Sequence, residues 1–184
     1  MNSFFYFIFI LLLSTQSFAK EDIMILKLKD GEVKIKLFSE IAPNHVKRIK
    51  TLADANQYDD VVFHRVIDGF MAQTGDVEFG NSTNDKFDLT RAGTGGSNLP
   101  DLKAEFSNIA HEKGILSMAR SSDPNSANSQ FFICFADSPN LDRNYTAFGK
   151  VIEGMEFVDK IKRGDGSSGL VSDPDKIISL RIAQ

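Results

Sequence analysis

From Met24 onward the apolar residues of this chain come in short runs, each about the length of a β-strand and each stopped by a turn signal. The runs fall at 61–67, 70–74, 114–119, 130–135 and 147–151, and a last one holds Ile177, Ile178, Leu180 and Ile182. A chain divided in this way builds its core from sheet, because no run is long enough for an extended helix. The stretch 23–37 alternates: Met24, Leu26 and Leu28, then Val33, Ile35 and Leu37 interleaved with Lys34 and Lys36. Asp30-Gly31 between them predicts a tight hairpin turn at positive-φ positions, and Asp68-Gly69 separates the 61–67 and 70–74 runs. Helical spacing occurs twice. Pro43 suits a first helical turn, where its missing N–H costs nothing, and Val46, Ile49, Leu52 and Ala53 continue an amphipathic helix to about Asn56. A second, Met155–Ile161, is closed by Gly164 near Lys160, Lys162 and Arg163. Many strands with two short helices suggest a mainly β protein, a closed antiparallel barrel with covered ends, although propensity alone leaves a sandwich open as well. The glycine-rich segment between Gly75 and Pro100 has little periodicity, and such loops usually shape or cover a site. A further loop occupies 165–175.

The first 19 residues read differently. Met1 to Ala19 hold no Asp, Glu, Lys or Arg, and Phe4 to Leu13 is unbroken apolar sequence. That run is too short to cross a bilayer, which takes about 20 helical residues, but it fits the core of a secretory leader. Ser17-Phe18-Ala19 presents small residues to a signal peptidase, so residues 1–19 are expected to be a signal peptide and 20–184 one domain, exported to the periplasm or secreted, without stable membrane insertion. The missing Lys or Arg at the start departs from the usual leader. The chain carries 21 basic and 25 acidic residues, spread along its length, and this argues against nucleic acid as a partner. Its single cysteine, Cys134, allows no internal disulfide and sits in an apolar run, so it belongs to the core. His45, His64 and His111 lack metal-ligand spacing with each other or with Cys134, and no metal is expected.

Three segments carry chemistry. They are Phe63-His64-Arg65-Val66-Ile67-Asp68-Gly69-Phe70-Met71-Ala72-Gln73-Thr74-Gly75-Asp76, then Gly114 to Ala119 with Asn128-Ser129-Gln130-Phe131-Phe132-Ile133-Cys134, then Phe148-Gly149-Lys150-Val151-Ile152-Glu153-Gly154-Met155. In these the chain resembles the cyclophilin family of peptidyl-prolyl isomerases, over essentially all of 22–183, with 93–135 most like the bacterial members. The resemblance implies a closed eight-stranded antiparallel barrel with a helix over each end. It also implies a shallow outer groove that grips an Xaa-Pro segment of a protein or peptide client, with no cofactor; a monomer is expected, although the sequence itself does not reveal the oligomeric state. Arg65 matches the family's catalytic arginine, with Phe70 and Gln73 in the same catalytic group. Phe70, Met71, Phe132 and Leu141 match its proline pocket, and Gln73, Ala119, Arg120 and Gln130 match positions that contact the client backbone. His64, Asn140 and Tyr145 complete the binding set. Tyr145 stands where many members have histidine, and Asn140 where several have tryptophan. Read on its own, His64 suggests a structural hydrogen bond in its strand.

Rotation about an imide bond faces a barrier of about 18–20 kcal/mol. Reaching a millisecond timescale takes about 7 kcal/mol off it, and needs no covalent intermediate. A donor aimed at the proline nitrogen helps, because the lone pair localises there only as the bond twists. Arginine, permanently charged and held by its planar fork, suits this role. Gly93-Thr94-Gly95-Gly96-Ser97 is no phosphate loop, since no lysine follows in the expected place, and its glycines instead let the loop turn beside the groove. Ser129 lies in no nucleophile elbow. A proline-binding module without turnover and a structural subunit with a large apolar patch are the remaining alternatives, and intact Arg65, Phe70 and Gln73 argue against the first. Intact-mass measurement of the protein from its native host is expected to give a chain starting at Lys20. A mature form that keeps Met1 overturns export.

Overall fold

The first hairpin sets the frame for everything after it. In the computed structural model, which describes residues 22–183, β1 (Ile23–Leu28) pairs antiparallel with β2 (Gly31–Leu37), Leu28 opposite Gly31. The expected signal peptide lies outside the described residues. The turn is Lys29-Asp30 rather than Asp30-Gly31, and neither Asp30 nor Gly31 has positive φ. Gly31 is glycine for another reason: a Cβ there would run into the ring of Phe157. Next come α1 (Pro43–Asp54), β3 (Arg65–Ile67), β4 (Met71–Thr74), β5 (Ile115–Met118) and β6 (Phe131–Cys134). A 3-10 turn (Pro139–Leu141), β7 (Ala147–Glu153), α2 (Met155–Val158) and β8 (Ser179–Ile182) follow. The α2 helix is a single turn, shorter than its spacing suggests. Arg163 Nη1 donates to the carbonyls of Asp159 (2.8 Å) and Ile161 (2.6 Å), satisfying acceptors just beyond the end of the helix.

All eight strands form one antiparallel sheet in the order β3-β4-β6-β5-β7-β2-β1-β8. The expected closed barrel is not what forms. The sheet is an open, curled half-barrel, because its edge strands β3 and β8 do not ladder together. The 61–67 run supplies only three residues of strand, and the chain at 164–171 occupies the free edge of β3 instead: Val66 N–H donates to the Gly169 carbonyl (2.7 Å) and Gly164 N–H to the Val66 carbonyl (2.9 Å). Only scattered bonds bridge the gap, Asp60 N to Ile177 O at 2.8 Å and Phe63 N to Asp175 O at 2.8 Å among them.

Strand periodicity divides the side chains between two faces. Met24, Leu26, Val33, Ile35, Val66, Ala72, Leu116, Phe131, Ile133 and Phe148 point inward and meet Val46, Ile49 and Leu52 of α1 in the main core. The opposite faces of β4, β5 and β6 send Met71, Ile115, Phe132 and Cys134 into a second, smaller cluster with Leu141 and Ala147. Cys134 is fully buried there, and burial pushes its thiol pKa up to about 12, so it acts as a small apolar residue.

Helix α1 begins without a capping side chain of its own, since Ala42 holds the N-cap position. The cap comes from Glu105, far along the chain. Its carboxylate accepts from the backbone N–H of Asn44 (3.1 Å) and His45 (3.1 Å), from Asn44 Nδ2 (2.7 Å), and meets His45 Nδ1 at 2.6 Å. Burial alone would raise the Glu105 pKa, but these bonds outweigh it and hold it below the usual carboxylate value. His45 is fully buried, and burial lowers its pKa, so the ring is held neutral. Both shifts act in one direction. The unfolded chain takes up protons first, at His45 as pH falls below about 6.5 and at Glu105 through the carboxylate range, so stability drops toward acid. Glu105→Gln is expected to lose about 1–3 kcal/mol at pH 7, with the gap to the parent narrowing toward pH 3 in urea unfolding. An equal gap at both pH values would mean that the charge is not what caps the helix.

Candidate functional site

The outer face of the sheet carries a row of cross-strand neighbours. Arg65 of β3 lies opposite Gln73 of β4, Gln73 opposite Phe132 of β6, and Phe132 opposite Ser117 of β5. Because Val66 and Ala72 point into the core, Arg65 and Gln73 must point out. The β3–β4 turn makes this pairing possible, with Gly69 at φ 68°.

Over this row lies a groove of about 300 Å³, to which Arg65, Gln73, Ala119 and Arg120 contribute alongside the apolar Phe70, Met71, Phe132 and Leu141. Asn140 and Tyr145 close its far side. Sequence-derived candidates from three strands, β3, β4 and β6, and from the connections after β3, β5 and β6 therefore meet in one place. Gln130 sits at the adjoining edge, in hydrogen-bond contact with Gln73. His64 is the exception. It is buried under the glycine loop, where a Cβ on Gly93 would come within 2.9 Å of its ring, and it does not line the groove. No hydrogen bond of ordinary length and angle reaches either ring nitrogen among the described residues. Burial lowers its pKa to about 4, which keeps the ring neutral.

The guanidinium of Arg65 is held from two sides. Its Nε donates to the Ser168 carbonyl (3.0 Å) and its Nη1 to Gln73 Oε1 (3.4 Å). Gln73 Nε2 donates in turn to Gln130 Oε1 (3.0 Å), and Gln130 Nε2 to the Gly95 carbonyl (2.8 Å). This chain fixes both amides and leaves Nη2 of Arg65 without a partner among the described residues. Phe132 and Tyr145 meet edge to face at 5.8 Å, and Arg120 stacks on Tyr145 at 4.5 Å while donating to the carbonyls of Asn144 and Ser121. Neither Arg65 nor Arg120 has a carboxylate partner among the described residues. Ala119 gives its N–H to the Gln130 carbonyl (2.9 Å), so of its backbone polar groups its own carbonyl is the one left to meet a ligand.

The wall at Asn140 and Leu141 is braced from behind. Asp142 Oδ1 accepts from the backbone N–H of His111 (2.8 Å) and meets its Nδ1 (3.0 Å), while His111 Nε2 meets Ser117 Oγ (3.0 Å). The backbone bond from His111, then its ring, hold the Asp142 pKa below the usual value. An Asp–His–Ser array suggests a hydrolase, yet Ser117 is fully buried and no substrate can reach its oxygen. The array is a strut. No three His, Cys, Asp or Glu side chains among the described residues are grouped to hold a metal ion.

Two features were not foreseen from the sequence. A second cavity of about 490 Å³ adjoins the groove across Gln73, Ala119 and Arg120, walled by Gly93–Ser97, Ser126 and Asn128. Its loop is moulded around the buried carboxylate of Asp76, which accepts from the N–H groups of Phe79 (2.9 Å), Gly93 (2.7 Å) and Gly95 (2.9 Å). The other feature is the Ser168 carbonyl. The only sequence sign of it was the glycine content of 164–169, which the loop assignment left without a role.

A family model described as cyclophilin type peptidyl-prolyl cis-trans isomerase/CLD matches residues 23–182. The chain is 56% identical over 163 residues to a probable peptidyl-prolyl cis-trans isomerase of Brucella suis, covering 88% of this chain and 83% of that one. It is 39% identical over 168 residues to a peptidyl-prolyl cis-trans isomerase of Acinetobacter baylyi, covering 85% and 83%. Among solved structures, a Cryptosporidium parvum cyclophilin type peptidyl-prolyl cis-trans isomerase aligns with a TM-score of 0.75 at 28% identity, over 90% of this chain and 99% of that one. The same Cryptosporidium protein in the presence of the dipeptide Ala-Pro gives 0.74 at 29% identity, over 88% and 99%. The side chains lining the groove include no carboxylate, imidazole or thiol, and His64 behind it stays neutral. Turnover of a proline peptide is therefore expected to be flat between about pH 6 and 8.5, since only such groups titrate there. A sigmoidal pH–rate profile in that range would place a titrating group in the site.

Proposed function

The chain belongs to the cyclophilin-type peptidyl-prolyl cis-trans isomerases, enzymes that accelerate rotation of Xaa-Pro bonds and so assist protein folding, and we propose that Arg65 is the residue that lowers the barrier in this one. The observation that carries the assignment is the held guanidinium: Ser168 and Gln73 fix two of its nitrogens, and Nη2 remains unpartnered beside an apolar pocket.

In this reading a proline-containing segment of a client lays its ring against Phe70, Met71, Phe132 and Leu141. The ring and the chain after it stay fixed while the preceding carbonyl swings round. As the C–N bond twists, conjugation is lost and the nitrogen lone pair localises. A donor from Arg65 reaches that lone pair, and the bond it makes is strong only at the twisted geometry, which is the condition for lowering a barrier. Orientation by Gln73 and Ser168 means that little reorganisation is needed at that moment. The apolar wall excludes water and strengthens the interaction. Gln73, Gln130 and the Ala119 carbonyl face the client backbone, and Arg120 and Tyr145 hold the rim. No proton moves and no covalent bond forms.

Arg65→Ala is expected to lower kcat/KM on an Xaa-Pro peptide by about a hundredfold or more without unfolding the protein, because the side chain is only half-buried. Arg65→Lys is expected to recover little of this, since lysine keeps the charge but cannot bond Gln73, Ser168 and the imide nitrogen together. Protease-coupled assays on variants checked by circular dichroism decide both. Near-parent activity in the alanine variant removes the mechanism, and near-parent activity in the lysine variant shows that charge alone suffices.

A further inference from the structure

The strap 164–171 does more than cover the edge of β3. Val66 N–H bonds the Gly169 carbonyl at 2.7 Å and Val171 N–H the His64 carbonyl at 3.2 Å, which makes Leu170 the direct antiparallel partner of Arg65. Directly opposed residues in an antiparallel pair project to the same face, with Cβ atoms about 5 Å apart. Alternation along the strap agrees: Val171 is buried in the main core, so Leu170 must point outward. The row on the outer face therefore runs Leu170, Arg65, Gln73, Phe132. Leu170 is 59% exposed, more than any other large apolar side chain among the described residues.

Its position is fixed by close backbone contact. Gly169 has φ 68°, and a Cβ on it would strike the Ile67 side chain and lie 3.0 Å from the Val66 carbonyl. A Cβ on Gly164 would collide with the Gly169 carbonyl. The same strap presents the Ser168 carbonyl to Arg65 Nε. Leu170 thus stands on a pinned support, one cross-strand step beyond Arg65 on the side away from Gln73, and contributes little to the core.

We infer that Leu170 is a specificity-determining residue: it forms an apolar subsite for a side chain flanking the client proline and so selects segments in which a large aliphatic or aromatic residue lies next to the Xaa-Pro bond. This rests on the reading that Arg65 works at the imide bond. With the proline ring in the pocket at Phe132 and the imide over Arg65, the client chain continues past Arg65, and the next surface it meets on that side is Leu170.

The test compares peptides that share one Xaa-Pro bond and carry leucine or serine at each of the two positions on either side of it. The full chain, Leu170→Ser, Leu170→Lys and a remote control, Ile178→Ser, are assayed together. The parent is expected to favour leucine at one of these positions by roughly three- to tenfold in kcat/KM, as partial burial of one aliphatic side chain allows. Leu170→Ser is expected to bring that ratio to about one, Leu170→Lys to reverse it when glutamate replaces leucine in the peptide, and Ile178→Ser to leave it unchanged. No leucine preference in the parent overturns the inference. So does a preference that persists in Leu170→Ser, including the case where all peptides slow equally, which would make Leu170 only a support for Arg65. Arg65→Ala on the same peptides separates this from failure of the underlying reading: if that variant keeps its turnover, Arg65 is not the catalytic group, whatever the leucine ratio shows.

Discussion

The strict alternation of side chains across β3, β4 and β6 is the constraint on which the site depends. Val66, Ala72, Phe131 and Ile133 fill the main core, and this forces Arg65, Gln73 and Phe132 onto the other face. Cross-strand register then brings those three side by side, although Phe132 lies far along the chain from the hairpin that carries Arg65 and Gln73. A slip of one residue in either pairing would bury a guanidinium and expose a phenylalanine, and the core would not tolerate it. The groove is in this sense a by-product of packing: the forces that fix the inside of the sheet also fix the outside.

No strand of the sheet falls in the irregular segment between Thr74 and Ile115, where carboxylates take over. Asp76 gathers the N–H groups of its own turn and of the glycine loop that walls the second cavity. Glu105 ties the middle of the segment to the start of α1, and Asp142 reaches His111 near its end. Each accepts two or more hydrogen bonds and so satisfies backbone donors that have no ladder to join. Together they replace a missing sheet edge with point anchors, and two of them stand directly behind the surfaces a client would touch.

This division explains what could be read in the sequence and what could not. Periodicity at Met24–Leu37 and the helical spacing of Val46, Ile49 and Leu52 gave the hairpin and α1 nearly to the residue, because burial leaves a regular signature there. The motif around Arg65, with Gln73, Phe132, Leu141 and Tyr145, pointed to side chains that do converge. Closure of the sheet was not legible, since it depends on whether the 61–67 run pairs with the last strand or with the 164–171 strap, and the strap, rich in glycine and serine, carries no strand signal of its own. Gly31 was assigned to the turn for its freedom, whereas the reason for it, the Phe157 ring, lies more than a hundred residues away. His64 sits beside Arg65 in sequence but faces the interior, so the alternation of side chains turns it away from the groove. Carbonyls such as that of Ser168 carry no residue-type signal at all.

An open half-barrel with its site on the outer face suits a substrate that is itself a protein. A closed cavity could take a dipeptide but not the middle of a chain, whereas a shallow groove of about 300 Å³ leaves both ends of the segment free to continue. The cost of shallowness is weak grip, because little apolar area is removed from water. Catalysis of bond rotation can accept that cost, since tight binding of either isomer would slow release without speeding the twist. What must be rigid in the proposed mechanism is the donor, and Arg65, proposed for that role, is held by Gln73 on one side and by the strap carbonyl of Ser168 on the other. The opening in the sheet and the support of the arginine thus have one origin: the strap takes the edge of β3 that a closed barrel would have given to β8, and from that edge it holds the guanidinium over the groove.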